Sequence, residues 1–283
     1  MAKIISVVNF KGGVAKSTTA FNLAAALWMC GKRVLIVDAD PQYELTTRIG
    51  FNERDAETMY EWMLSEGTKN ELSAPIYNRY AGNDDFCFIP SSPKVSNIEQ
   101  ALVTQPNRFK SPYMILRNLL HKYCEDFDYI FLDCPPSPGF MNNLALIASD
   151  EIIVPVECAG ESIDGLIKLD MTIQDVKEQV NPDLTIKGYL LTKYDDRTKI
   201  TRKIREEISE EGLLLNTKIR SSIKFKEAGM FYKNIFEYDP NGNGAEDYMT
   251  LAEELFDVTR PDNWKAISAE CWEKTIGSQT EDE

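Results

Sequence analysis

Short apolar runs alternate with longer, helix-favouring segments along most of the chain. The apolar runs have the length of strands and fall at residues 4–8, 34–37, 86–90, 129–132, 152–156 and 186–191. The segments between them include an alanine-rich stretch from Thr18 to Cys30 and an amphipathic one from Tyr113 to Cys124. Strands that alternate with helices build parallel β-α units. The pattern therefore predicts an α/β fold, with a mostly parallel sheet covered by helices on both faces.

Two segments depart from this alternation. Residues 51–85 are the least regular, with polar turns at 67–70 and 82–85, and we expect an insertion of short helices there. After Pro261 the chain carries six acidic residues and two lysines. We therefore predict a single domain over residues 1–261 and a short acidic tail over residues 262–283.

A glycine-rich loop lies between the first strand and the first helix. Residues 9–19 read Asn-Phe-Lys-Gly-Gly-Val-Ala-Lys-Ser-Thr-Thr. Backbone amides freed by Gly12 and Gly13 can form an anion-binding nest at the helix N-terminus. Lys16 would then reach the β- and γ-phosphates of a nucleotide, and the Ser17 hydroxyl would ligate Mg²⁺. The loop predicts a P-loop NTPase domain.

The loop deviates from the strict G-x-x-x-x-G-K-[ST] pattern, because Phe10 and Ala15 occupy its two glycine positions. What remains is a Lys-Gly-Gly-x-x-Lys-Ser segment with a second lysine, Lys11, at its front. The alternative is a glycine-rich turn that binds nothing. Such a turn needs no lysine at both ends.

Two of the apolar strands end in acidic residues. Asp38 and Asp40 follow the strand at 34–37, and Asp133 follows the strand at 129–132. Parallel strands bring their carboxyl ends to one edge of a sheet, where ligands of α/β proteins bind. An alternative for the first pair is a strand-end turn capped by acids, which Pro41 would favour.

These segments together resemble the ParA branch of the ParA/MinD ATPases, which position plasmids, chromosomes and other cargo. The resemblance runs from about Lys3 to Phe256. Besides the loop, the matching stretches are residues 34–42, 129–136, 190–195, 238–240 and 244–248.

The resemblance implies roles for individual residues. Asp133 would hold the Mg²⁺ shell, Asp40 would orient the attacking water, and Asp38 would be a magnesium-side or switch residue. Lys11 would reach the phosphates of a partner in an ATP-bound sandwich dimer, and hydrolysis would return the dimer to monomers. The ATP-binding residues implied are Lys11, Gly12, Gly13, Val14, Ala15, Lys16, Ser17, Thr18, Arg220 and Ser222.

Three positions differ from the family pattern. Ala15 replaces a glycine, which is tolerable only if its φ is below zero. Glu44 stands where an asparagine is common. The adenine-side segment reads Ile-Arg-Ser-Ser at residues 219–222.

The net charge of the chain bears on whether it can bind DNA. The chain carries −14, from 31 basic and 45 acidic side chains, and an acidic protein is generally repelled by nucleic acid. Residues 193–226 nevertheless hold ten Lys or Arg and six acids. A helix is predicted over Lys199–Ser209, and its basic face either contacts DNA or is a solvated surface with i,i+4 ion pairs. The predicted DNA contacts are Lys199, Arg202, Lys203, Arg205, Lys224 and Lys226.

The leading hypothesis is a partition ATPase that binds ATP and Mg²⁺, dimerises and binds DNA without sequence preference. A ParB-like adaptor would stimulate its hydrolysis. The alternative is a related ATPase that positions protein cargo or serves a mobile element without contacting DNA. A MinD-like membrane cycle is disfavoured, because residues 264–277 lack a basic amphipathic helix. With no apolar span and no signal peptide, we expect a cytoplasmic protein, associated with the nucleoid if it binds DNA.

Overall fold

The computed structural model describes residues 2–52, 56–158, 163–195, 197 and 213–267. Within these residues, seven strands form one sheet in the order β3-β4-β2-β5-β1-β6-β7. β3 runs antiparallel to β4, and every other neighbouring pair is parallel. The strands are β1 (Lys3–Val7), β2 (Val34–Asp38), β3 (Tyr77–Tyr80), β4 (Asn83–Ile89), β5 (Tyr129–Asp133), β6 (Glu151–Glu157) and β7 (Thr185–Thr192).

The six apolar runs correspond to β1, β2 and β4–β7, so the mostly parallel sheet is confirmed. The segment 51–85 differs from the expectation of short helices alone. It contains helix α3 (Met59–Ser65) and also β3, which forms a hairpin with β4. The four residues of β3, Tyr-Asn-Arg-Tyr, give no apolar run, and the strand forms because β4 offers it a free edge.

Helices connect the strands. Those of the described residues are α1 (Lys16–Met29), α2 (Glu44–Arg48), α3, α4 (Ile98–Val103), α5 (Ile115–Tyr123), α6 (Phe140–Ala148), α7 (Ile163–Gln179), α8 (Lys224–Met230), α9 (Ile235–Tyr238) and α10 (Asn243–Leu255), with 3₁₀ turns at Pro93–Asn97 and Pro112–Met114. The two helices predicted near 18–30 and 113–124 are present as α1 and α5. The helix predicted over Lys199–Ser209 lies outside the described residues. None of the described helices is both long and apolar enough to span a bilayer.

Two apolar cores lie on opposite faces of the sheet. Successive side chains of a strand point to opposite faces. Ile4 and Leu35 accordingly belong to the core beneath α5 and α6, and their neighbours Ile5 and Ile36 to the core beneath α1 and α10. Because both faces are buried, the central strands are apolar throughout. The predicted covering of the sheet by helices on both faces is confirmed.

The β3 edge of the sheet is short and irregular. Its register with β4 shifts between Asn78 and Tyr80. Between them, the buried Arg79 side chain donates from Nη2 to the carboxylate of Glu237 (3.0 Å) and to the carbonyl of Tyr232 (2.9 Å). These bonds tie the outermost strand to the region of α9.

Residues 213–221 run alongside β7 and cover that edge of the sheet. Isolated parallel bridges join Tyr189 to Leu214 and Tyr194 to Arg220. The same segment leads into the wall of the cavity described below.

The described part of the predicted tail packs against the domain. Trp264 is buried, and its ring meets the ring of Phe236 edge-on at 5.7 Å between centroids. Residues 268–283 lie outside the described residues, so the boundary at 261 stays a prediction.

Candidate nucleotide-binding site

A cavity of about 500 Å³ opens at the carboxyl ends of the parallel strands. This size is within the range of small-molecule sites. Its walls come from the loops after β1, β2, β5 and β7 and from residues 219–226. The lining residues are Gly12, Gly13, Ala15, Lys16, Ser17, Thr18, Asp40, Gln42, Glu44, Arg48, Pro136, Thr192, Lys193, Ile219, Arg220, Ser221, Ser222, Phe225, Lys226 and Tyr248. The structure thus brings the glycine-rich loop, one of the strand-end acids and the 219–222 segment around one space.

The glycine-rich loop is anchored by side chains at both of its ends. Asn9 donates from Nδ2 to the carbonyl of Pro155 (2.8 Å) in β6, and its Oδ1 accepts from the amide of Lys11 (2.9 Å). The Thr192 hydroxyl, at the end of β7, donates to the carbonyl of Val14 (3.1 Å). The loop is therefore held in shape before any ligand binds, which lowers the ordering cost of binding.

Lys16 is the first residue of α1 and is 7% exposed. Its Nζ donates to the carbonyl of Lys11 (3.1 Å), the one hydrogen bond of this ammonium among the described residues. Burial lowers the pKa of Lys16, and the nearby Asp133 and Asp40 carboxylates oppose that shift. A buried ammonium with spare donors beside a cavity fits an anionic ligand.

Lys11 occupies a different position from Lys16. It does not line the cavity, and within the described part of the chain its ammonium makes no hydrogen bond or ion pair. This is compatible with a side chain that acts on another molecule. The trans role of Lys11 stays a prediction.

The condition of a φ below zero at Ala15 is not met. Ala15 has φ 69° and ψ 33°, the left-handed conformation, and its carbonyl accepts from the amide of Thr19 (2.8 Å) to start α1. A side chain in this conformation costs roughly 1–2 kcal/mol. Lys193 (φ 49°), which also lines the cavity, is left-handed too, and so is Tyr43 (φ 45°), which lies between the lining residues Gln42 and Glu44. Such strain is concentrated where a site requires a particular backbone path.

We predict that Ala15→Gly raises the free energy of unfolding by about 1 kcal/mol, because glycine adopts positive φ without steric cost. Chemical denaturation of the two proteins measures the difference. Ala24→Gly is the matched control: it makes the same exchange inside α1, where glycine should destabilise by about 1 kcal/mol or more. Equal effects of the two substitutions would contradict the left-handed assignment.

Asp38 is held by the protein itself. Its Oδ2 accepts from the amide (2.8 Å) and the hydroxyl (2.7 Å) of Thr46, and its Oδ1 accepts from the amide of Asp40 (3.1 Å). Burial raises the pKa of Asp38 to about 7, although these hydrogen bonds oppose the shift. Both oxygens are thus engaged in shaping the loop after β2. Its magnesium-side role stays a prediction.

The carboxylate of Asp133 differs from that of Asp38 in its hydrogen bonding. It is fully buried, and neither carboxylate oxygen accepts a hydrogen bond of ordinary geometry from the described part of the chain. Burial and the Asp38 carboxylate raise the pKa of Asp133 well above its usual range, while the nearby Ser17 hydroxyl and Lys16 oppose the shift. A buried carboxylate without partners is costly unless a cation or a proton compensates it. With the Ser17 hydroxyl beside it, Asp133 fits a magnesium site.

Protein ligands alone do not complete that site. Among the described residues, no three His, Cys, Asp or Glu side chains cluster tightly enough to hold a metal ion. Mg²⁺ in nucleotide sites is held by one or two protein ligands together with phosphates and waters. Ser17 and Asp133 match that arrangement.

Asp40 borders the cavity near Lys16. Its Oδ1 accepts from the amide of Gln42 (2.9 Å), and no described residue donates to its Oδ2. Burial raises the pKa of Asp40, and the hydrogen bond from Gln42 opposes that shift. One carboxylate oxygen is therefore fixed and the other is available to a ligand or a water.

The 219–222 segment forms another wall of the cavity. Arg220 is bound to Asp247 of α10 twice, through its amide (2.9 Å to Oδ2) and its guanidinium (2.6 Å from Nη2 to Oδ1). The Ser222 hydroxyl accepts from the amide of Lys224 (3.2 Å). Both predicted residues line the cavity, and their contacts with a nucleotide stay predictions.

Two of the six predicted DNA contacts, Lys224 and Lys226, are among the described residues. Lys199, Arg202, Lys203 and Arg205 lie outside the described residues. Lys224 pairs with Glu227 (2.8 Å) and lies near the ring of Tyr238. Lys226 lines the nucleotide cavity. The DNA role of these residues stays a prediction.

Several cavity residues were not predicted. Thr192 and Tyr248 lie in the stretches 190–195 and 244–248, which carry the family resemblance but had no assigned role. Glu44 was noted only as a departure from the pattern. Arg48 and Phe225 had no signal in the sequence, because their place depends on how α2 and α8 fold toward the loop.

The sheet, its order and the loop between β1 and α1 define a P-loop nucleotide-binding protein. A family model described as an AAA domain (AAA_31) matches residues 2–186.

Relatives of known name are similar over nearly the whole chain. The chromosome partitioning protein ParA of Myxococcus xanthus is 35% identical over 265 residues, which cover 92% of this chain and 90% of that protein. The sporulation initiation inhibitor protein Soj of Bacillus subtilis is 36% identical over 258 residues, which cover 90% of this chain and 98% of that protein.

A solved structure of cobyrinic acid a,c-diamide synthase from Mycobacterium smegmatis, with bound ATP analog and magnesium, is also similar. It is 28% identical, has a TM-score of 0.74, and the match covers 89% of this chain and 93% of that one. The chain belongs to the AAA_31 family and, within it, to the ParA/Soj-type ATPases, which confirms the resemblance drawn from the sequence motifs.

Proposed function

We propose that this protein is a Mg²⁺-dependent ATPase of the partition or positioning type. The observation that carries the proposal is the cavity itself: the buried Lys16 and the glycine-rich loop border it together with Asp40, and the buried Asp133 carboxylate lies close to Lys16 and the Ser17 hydroxyl. The relatives named for partitioning, and the similar structure holding an ATP analog and magnesium, support the same activity.

Phosphoryl transfer depends on positioning the reacting groups and on neutralising phosphate charge, and different residues of the cavity would serve each purpose. Lys16 and the loop amides bind the phosphates, and Ser17 and Asp133 would hold Mg²⁺, which neutralises phosphate charge. Asp40 accepts a hydrogen bond from the attacking water and orients it. Arg220 and Ser222 border the space left for the rest of the nucleotide.

We further propose that ATP binding makes a dimer through Lys11 and that hydrolysis dissolves it. A ParB-like adaptor stimulates hydrolysis, and the ATP-bound dimer binds DNA without reading its sequence. The basic residues between 199 and 226 support DNA contact, whereas the net charge of −14 opposes it. The alternative is an ATPase that positions protein cargo or serves a mobile element with the same nucleotide cycle and another contact surface.

Binding to long duplex DNA separates the two hypotheses. We expect binding that requires ATP, because dimerisation doubles a weak basic surface, and that ignores sequence, because the contacts are to phosphates. Replacing Arg202 and Lys203 with alanine should weaken binding for every sequence and flatten its salt dependence by roughly one unit per lost contact. Gel-shift or anisotropy measurements at low salt test this.

The matched control removes two lysines elsewhere, Lys94 and Lys122, which pair with Glu61 and Glu71. This control has the same change in net charge and should bind DNA as the wild type does. ATP hydrolysis without any DNA binding at low salt would favour the cargo hypothesis.

A further inference from the structure

A chain of buried hydrogen bonds runs behind Asp40. Asp38 accepts from the hydroxyl of Thr46 (2.7 Å), and that hydroxyl oxygen accepts from the amide of Ser91 (2.9 Å). The Ser91 hydroxyl then donates to the carbonyl of Asp40 (2.8 Å), while the amide of Asp40 donates back to Asp38 (3.1 Å). The chain of bonds is closed, and it links the end of β2, helix α2 and the turn after β4.

This ring of bonds fixes the backbone of Asp40 on both sides. The bond at its amide holds the peptide group before it, and the bond at its carbonyl holds the peptide group after it. Thr46 is 1% exposed and Ser91 is 0% exposed, so water does not compete for these bonds. With the backbone fixed and Oδ1 bound to Gln42, little freedom is left to the carboxylate.

Neither Thr46 nor Ser91 is among the described residues that line the cavity. Their hydroxyls therefore have no direct route to a bound nucleotide. Any influence on hydrolysis must pass through the position of Asp40.

We propose that Thr46 and Ser91 are positioning residues for hydrolysis, holding Asp40 where it orients the attacking water. This inference rests on the proposed ATPase function and on the role of Asp40 within it. The ring of hydrogen bonds would then affect the rate of hydrolysis but not the affinity for the nucleotide, because the phosphate loop is anchored separately through Asn9 and Thr192.

The test compares steady-state ATP hydrolysis of four variants with that of the wild-type protein. Thr46→Val keeps the shape of the side chain and removes its hydroxyl, and Ser91→Ala removes the bond to Asp40. We expect kcat to fall by roughly 10- to 100-fold in each, as misplacement of a catalytic group does, with KM unchanged. Thr46→Ser keeps the hydroxyl and should restore most of kcat.

Ser92→Ala is the matched control. Ser92 is the buried neighbour of Ser91, but its hydroxyl bonds to the hydroxyl of Thr58 (3.2 Å) and not to the loop of Asp40. We expect a comparable loss of thermal stability with kcat unchanged. A binding titration with a non-hydrolysable ATP analogue and thermal melting accompany every variant.

The outcomes distinguish a failure of the positioning role from a failure of the proposed ATPase function. If the wild-type protein does not hydrolyse ATP, the proposed function fails. If the wild type is active but Thr46→Val and Ser91→Ala retain its kcat, or if Ser92→Ala loses as much, the positioning role is overturned. Should Thr46→Val fail to fold, Ser91→Ala with its control decides alone.

Discussion

Lys16→Ala is expected to lose ATP binding while the fold remains intact. The ammonium is buried beside the cavity with one carbonyl as its hydrogen-bond partner, so its removal takes away the main phosphate cation and little packing. Removing one member of a buried charge pair costs roughly 2–5 kcal/mol, which weakens binding by about 30- to 5,000-fold. Calorimetric titration with ATP and Mg²⁺ measures it.

Lys122→Ala serves as the control for that experiment, since Lys122 is an exposed lysine paired with Glu71. It should bind ATP as the wild type does. Thermal melting checks that both variants are folded. Unchanged affinity in a folded Lys16→Ala protein would remove the basis for the nucleotide site.

Asp40→Ala is expected to separate binding from hydrolysis. The variant keeps the phosphate loop and the magnesium-site residues, so it should bind ATP and accumulate as a dimer. Hydrolysis should fall by roughly 10²- to 10⁴-fold, the range associated with a positioned acid or base. Phosphate release and light scattering, each with and without ATP, measure the two effects.

Lys11→Ala provides the contrasting variant. Lys11 does not line its own cavity, so its loss should leave ATP binding intact and keep the protein monomeric. If this variant dimerises with ATP as the wild type does, the trans role of Lys11 is wrong. If Asp40→Ala hydrolyses ATP normally, another group must orient the water.

The local pattern of the sequence was sufficient for the parallel sheet and for the phosphate loop. Apolar strand runs and the glycine-rich segment carry their information within a few neighbouring residues. Lys16 and Asp40 could be predicted because each sits next to such a run, at a fixed distance from the end of a strand. The lining of the cavity confirmed that these segments meet.

Other features depend on contacts between distant parts of the chain. Strand β3 exists because β4 offers an edge, and the bonds that Arg220 donates to Asp247 join residues whose partnership no local pattern reveals. The backbone conformation of Ala15 could not be predicted, because the residue type alone does not give the shape that the loop imposes. Closing the loop onto α1 requires a left-handed residue there, whichever side chain occupies the position.

The two edges of the described sheet limit how copies of this protein can associate. A long, flat open strand would invite another chain to extend the sheet by backbone pairing. Here β3 has only four residues, its register with β4 is irregular and Arg79 ties it to the region of α9, while residues 213–221 run alongside β7 on the other side. Neither edge of the described sheet is a long, flat open strand, so strand addition is disfavoured at both, and the proposed dimer would rely on side-chain surfaces. Such contacts could form and separate without opening a sheet.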